Sequence, residues 1–166
     1  DLAQARQLGG RTQVAVQAAA LETYARAARG EPQTAVVPLL RAAEQVQAQL
    51  PASAGWPVWT PAHLHAFGGI AAVLCGARAL ASEWLQLAAD EAAGMPSLGV
   101  AVDSYRAQGC ASAGDWDAAR SYALDAVGVA CARGAPPAWL KGRVASLARS
   151  ARGRGGDWSG LRAVAA

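Results

Sequence analysis

The sequence predicts an all-α protein built from antiparallel helical hairpins. Three observations carry that prediction. Alanine dominates the 53% of residues that are hydrophobic, and alanine favours helix over strand. Apolar positions recur at helical spacing along almost the whole chain. Glycines interrupt that pattern at wide, similar intervals: Gly30, Gly76, Gly114 and Gly156. At 166 residues, one domain with a sizeable core is expected, made of small residues with a few large anchors among the six Trp.

The elements follow in order. Residues 11–29 carry Val14, Ala18, Leu21, Ala25 and Ala28 on one face and stop at Gly30. Residues 34–50 present Val36, Leu39, Leu40, Ala43 and Val46. Pro38 removes a helical hydrogen bond, so an irregular start with regular helix from near Val37 is expected. The stretch PASAGWPVWTP, residues 51–61, holds three Pro, one Gly and two Trp and predicts a long loop. Helices are then predicted over 62–75, 78–93, 97–113, 116–133 and 138–152, with a short closing helix from Trp158. Grouped in pairs, these give four hairpins, approximately 11–50, 62–93, 97–133 and 138–166.

Two stretches repeat a local pattern: AGDWDAARSYA at 113–123 and GGDWSGLRAVA at 155–165. The glycine supplies a left-handed residue that ends one helix. Asp115 and Asp157 are placed to cap the next helix through their carboxylates. Trp116 and Trp158 follow, where an indole can plug the end of a hairpin. Small residues flank the break glycines at fixed offsets: Thr23, Gly69 and Ala107 seven before, and Ala35, Ala81 and Ala119 five after. Two helices approach closely only where both carry small side chains, so these offsets mark crossing points.

This arrangement resembles the tetratricopeptide pattern, a helix-turn-helix unit stacked into an α-solenoid. The match is best over 100–131, fair over 62–93, looser over 16–47, and cut short over 142–166. The spacing exceeds the roughly 34 residues of such repeats. The large aromatic of the pattern is replaced by Arg26, Ala72, Cys110 and Arg152. A narrower resemblance covers about residues 60–166. It is similar to the C-terminal sensory regions of bacterial helix-turn-helix transcriptional regulators. That resemblance implies a sensory segment only, since no DNA-binding helix-turn-helix is recognisable in the chain. Asp1 in place of Met points to a piece of a longer protein.

Composition bounds the partners. The net charge of +3 is too small for general nucleic-acid binding, although Arg133, Lys141, Arg143, Arg149, Arg152 and Arg154 occupy a stretch without any acid. No aromatic interleaves the run from Arg143 to Arg154, which reads as a solvated face. Cys75, Cys110 and Cys131 are odd in number and widely spaced, which argues against a disulfide framework or a zinc site and points to buried thiols in a reducing cytoplasm. The first ten residues lack the apolar core of a secretory signal, and the apolar stretch 66–77 is too short to span a bilayer.

No catalytic constellation is visible. His63 and His65 stand two residues apart on a helix, about 200° around it, and cannot easily share a metal. The cysteines lack a companion base, and GRGGD follows a helix rather than a strand, so it is no phosphate loop. A non-enzymatic binding module is therefore expected, without cofactor or metal. By the solenoid resemblance, the first helix of each hairpin lines a concave groove. That groove would present Gln17 and Tyr24, then His63, Phe67 and Ile70, then Tyr105 and Gln108, with Arg143 at its end. Trp56 and Trp59 could close over it as a lid. The mixture suits a peptide, a protein segment or a small apolar ligand, with Arg143 available for a carboxylate. A homodimer fits as well; direct nucleic-acid or membrane contact is not expected. The alternatives are a general protein-interaction scaffold and, more distantly, an all-helical enzyme.

Overall fold

A computed structural model describes residues 12–50, 59–152, 154 and 157–165. Every regular element among them is a helix. The chain divides after Glu91 into two compact units. Each unit holds two of the four predicted hairpins.

The first unit contains α1 (Gln13–Ala28), α2 (Gln33–Gln47), α3 (Pro61–Leu74) and α4 (Arg78–Glu91). Helix α1 packs on both α2 and α3, α2 touches α3, and α3 packs on α4. Its core joins Val16, Leu40, Leu64 and Trp84, all essentially without exposure, with many alanines between them. The second unit contains α5 (Pro96–Ala113), α6 (Trp116–Ala132), α7 (Ala138–Ser150) and α8 (Ser159–Ala165). Helix α5 packs on α6 and α7, and α8 packs on α7 and α6. Leu140, Val144, Trp158 and Leu161 anchor that core.

Local chemistry sets the helix ends. Gly30, Gly76 and Gly114 adopt φ of 81°, 78° and 88°, the left-handed region where a side chain is strained. At each, the next residue's N–H reaches back to a carbonyl in the preceding turn, closing the helix: Glu31 to Arg26, Ala77 to Ala72 and Asp115 to Cys110. Gly156 lies outside the described residues. Asp115 caps α6, its Oδ1 accepting the Ala118 N–H at 3.0 Å. Asp157 accepts from both the backbone N–H and the hydroxyl of Ser159, at 2.8 and 2.9 Å. These bonds, the backbone one foremost, hold its carboxyl below the usual range. Trp116 and Trp158 meet edge to face, with centroids 6.2 Å apart. The two plugs of the repeated motif thus close on each other.

Three expectations need correction. The second helix begins at Gln33, and Pro38 sits inside it. Pro32 at the helix entry starts the turn early enough that Pro38 costs one backbone bond at an exposed position instead of delaying the helix. The long loop ends sooner than predicted, because Pro61 is the first residue of α3, a position that needs no N–H. Residues 51–58 lie outside the described residues. The thiols are not all buried: Cys131 is exposed, and Cys75 and Cys110 are half-buried. Helical periodicity located these residues without saying which face the neighbouring helices would cover.

Helices α3 and α4 approach closely at Gly68 and Gly69. A Cβ on Gly68 would stand 2.1 Å from two ring atoms of Trp84, and one on Gly69 would stand 2.7 Å from Leu85 Cγ. The indole of Trp84 therefore lies directly on the α3 backbone. The sequence marked Gly69 as a crossing residue and missed Gly68.

Candidate functional site

The predicted groove residues fall into two groups, one in each unit. In the first unit, Tyr24 from α1 and His63 and Phe67 from α3 gather around Trp59. The Trp59 ring stacks on His63 at 5.4 Å and on Phe67 at 5.6 Å, and Tyr24 meets Phe67 edge-on at 6.2 Å. Trp59 does cover predicted groove residues, but it is 8% exposed and acts as a fixed part of the packing. Gln13 Nε2 donates to its carbonyl, tying α1 to the entry of α3. Trp56 lies outside the described residues. Gln17 is exposed and Ile70 is buried, so neither joins the stack through an open surface.

The two histidines diverge as their spacing requires. His63 Nδ1 accepts the Thr60 N–H at 3.2 Å, with the Thr60 hydroxyl at 3.0 Å, which reinforces the start of α3. Burial pushes its pKa below the ordinary histidine value. His65 instead pairs with Glu91 Oε2 at 2.7 Å and lies edge-on to Trp84. Glu91 was not singled out from sequence; 26 residues separate the pair. Among the described residues no group of three His, Cys, Asp or Glu side chains could hold a metal ion. None of the described helices is long and apolar enough to cross a membrane.

In the second unit, Tyr105, Gln108 and Arg143 come together as their placement on α5 and α7 predicted. The Arg143 guanidinium lies over the Tyr105 ring, 3.6 Å from its centroid. Arg143 Nη1 donates to Gln108 Oε1. Tyr105 is 7% exposed, so it serves as the floor under the cation. Beside them opens a cavity of about 470 Å³, lined by Gln108, Ser112, Trp116, Trp139, Arg143 and Ser146, among others. Its lining contains a single charged side chain, that of Arg143. The Arg143 Nε is buried and has no hydrogen-bond partner.

Trp139 and Trp116 on this cavity were not assigned to a site from sequence. Trp139 is 47% exposed, the most exposed of the described tryptophans, and follows the Pro136-Pro137 restart of α7. The signal that could have found it is its spacing from Arg143: four residues on a helix place both side chains on one face. Arg154 lies over the Trp116 ring, 5.2 Å from its centroid.

Comparison with protein-family models, with curated proteins and with solved structures finds no match to this chain.

Proposed function

We propose that this chain is a non-catalytic helical-repeat binding module, the ligand- or partner-sensing region of a bacterial transcriptional regulator. The observation that carries the proposal is the cavity of the second unit. There, Gln108 and Arg143, chosen from sequence as groove residues, sit on one concave surface with two indoles. Its volume of about 470 Å³ lies within the range of roughly 300–1,000 Å³ found for small-molecule sites. The mixture of apolar rings and a few fixed polar groups is what a recognition site needs. The helix order supports a tetratricopeptide-like repeat within each unit: in both, the first helix of one hairpin packs on its own partner and on the first helix of the next.

Binding would act by favouring one arrangement of the hairpins over another, since a ligand shifts only those equilibria whose states it distinguishes. The test is thermal denaturation against libraries of metabolites and short peptides, run beside Arg143→Ala. A ligand that raises the melting temperature of the wild type and not of R143A supports the reading. A library without any stabilising compound, or stabilisation untouched by R143A, refutes the assignment of this cavity. The regulator assignment is tested separately, by whether the full reading frame carries a helix-turn-helix domain.

A further inference from the structure

Resting on the reading of the second-unit cavity as a binding site, we infer that its ligand is a small aromatic carboxylic acid, bound as a monoanion. The inference starts from the state of Arg143. A guanidinium presents five N–H donors in a rigid plane. One face of this plane is taken by Tyr105 at 3.6 Å, and Nη1 is taken by Gln108. Both partners are neutral, and no described Asp or Glu forms an ion pair with Arg143. The Nε hydrogen is buried and unanswered. A buried donor without an acceptor is uncommon, because each one forfeits the hydrogen bonds it had in water. The cation is thus fixed in orientation and unneutralised; its buried Nε lies out of reach, so an incoming acceptor meets the Nη groups.

A carboxylate fits what remains. Two parallel N–H···O bonds between a guanidinium edge and a carboxylate give both strength and orientation. One cation matches one negative charge. No acidic side chain lines the cavity to repel it, and Ser146 and Ser150 offer neutral hydroxyls around it. A doubly charged phosphate would find only one charged partner on these walls.

The rest of the ligand is set by the indoles. Trp116 and Trp139 line the same cavity, and flat π-systems pack on them in offset or edge-on geometry. Trp139 keeps 47% of its surface exposed, a large apolar area at the margin of a polar site. A planar ring joined to a carboxylate would cover this surface while its charge meets Arg143. The free acid is favoured over the end of a polypeptide because Arg143 and both indoles line one cavity of about 470 Å³, leaving little need for an extended chain.

The experiment is calorimetric titration of the whole chain with 2-naphthoate, with neutral 2-naphthamide, and with an acetylated tripeptide ending in tryptophan. The expected result is saturable 2-naphthoate binding, with the amide weaker by about tenfold or more, since hydrogen bonds to charged groups carry that much. Arg143→Gln should weaken the acid by a similar factor and leave the amide unchanged. Trp139→Ala, at a position that is 47% exposed, should weaken both compounds. Equal affinity for acid and amide, or an R143Q variant that is folded by circular dichroism and binds the acid normally, overturns the carboxylate assignment. Tight binding of the tripeptide without the free acid also overturns it, while leaving the chain a binding module. Absence of any binding at this cavity overturns both.

Discussion

Replacing Gly68 by alanine probes the close contact between the α3 backbone and Trp84. The added Cβ would lie 2.1 Å from Trp84 Cε3 and Cζ3 and 3.3 Å from Leu40 Cδ2. Ordinary carbon contacts lie at about 3.5–4.0 Å, so the indole would have to retreat by roughly 1.4 Å or more. It has nowhere to go: Trp84 has no exposed surface, His65 stands edge-on at 5.5 Å, and Arg41 lies over the ring at 5.7 Å. Overpacking of a closed site costs about 3 kcal/mol at its upper end. Alanine returns about 1 kcal/mol through helix propensity. The net loss is about 2 kcal/mol, which lowers the melting temperature by roughly 4–8 °C in a protein of this size. Gly128 supplies the control, being helical and exposed, with no atom within 4 Å of the place a methyl group would occupy. Gly128→Ala should raise stability by up to about 1 kcal/mol. Thermal melts and denaturant titrations followed by circular dichroism measure both. Adding Trp84→Leu to G68A should recover part of the penalty, a coupling that independent sites would lack. A G68A protein as stable as the wild type refutes the packing argument.

Three further predictions concern the helix starts and the thiols. Asp115→Ala should destabilise the protein by about 1 kcal/mol in urea titration, and Asp115→Asn by much less, because asparagine caps nearly as well. For His63, burial lowers the folded pKa below the ordinary value of about 6.5. The unfolded chain therefore takes up a proton first, so this contribution is present above about pH 6.5 and is lost as the pH falls below it. His63→Gln, which can still accept the Thr60 N–H, should remove that loss when the two proteins are compared at about pH 7.5 and about pH 5; parallel stabilities would contradict the assignment. Finally, Cys131 should be alkylated by maleimide well before Cys110, since Cys131 is exposed and burial pushes the Cys110 thiol up. Mass spectrometry of partially labelled protein reads the order directly.

What could be read in the sequence was local. Gly30, Gly76 and Gly114 stop helices through their own backbone freedom, and Asp115 caps through a bond three residues long, so neighbouring letters sufficed. The triad of Tyr105, Gln108 and Arg143 was also accessible, because Tyr105 and Gln108 share a face of one helix and the hairpin register brings α7 beside it. The contacts that escaped were those between distant segments. His65 meets Glu91 across 26 residues, and Trp84 chooses Gly68 over its neighbour by a rotation of the helix that periodicity does not fix. The exposure of Cys131 follows from which side of α6 is left uncovered, again a property of the packed unit. Trp139 was overlooked because an aromatic near a proline pair reads as helix punctuation until the cavity beside it is seen.

The contact between Trp116 and Trp158 carries a mechanical consequence. Helix α8 spans seven residues, far too few to persist in water by its own hydrogen bonds. It is moored by Trp158, and Trp158 leans on the indole that forms one wall of the cavity. Fraying of the last helix would therefore let Trp116 slacken, and a guest holding Trp116 in place would in turn damp that fraying. Amide exchange in residues 159–165 becomes a remote gauge of occupancy, read in a helix that contributes no residue to the cavity wall.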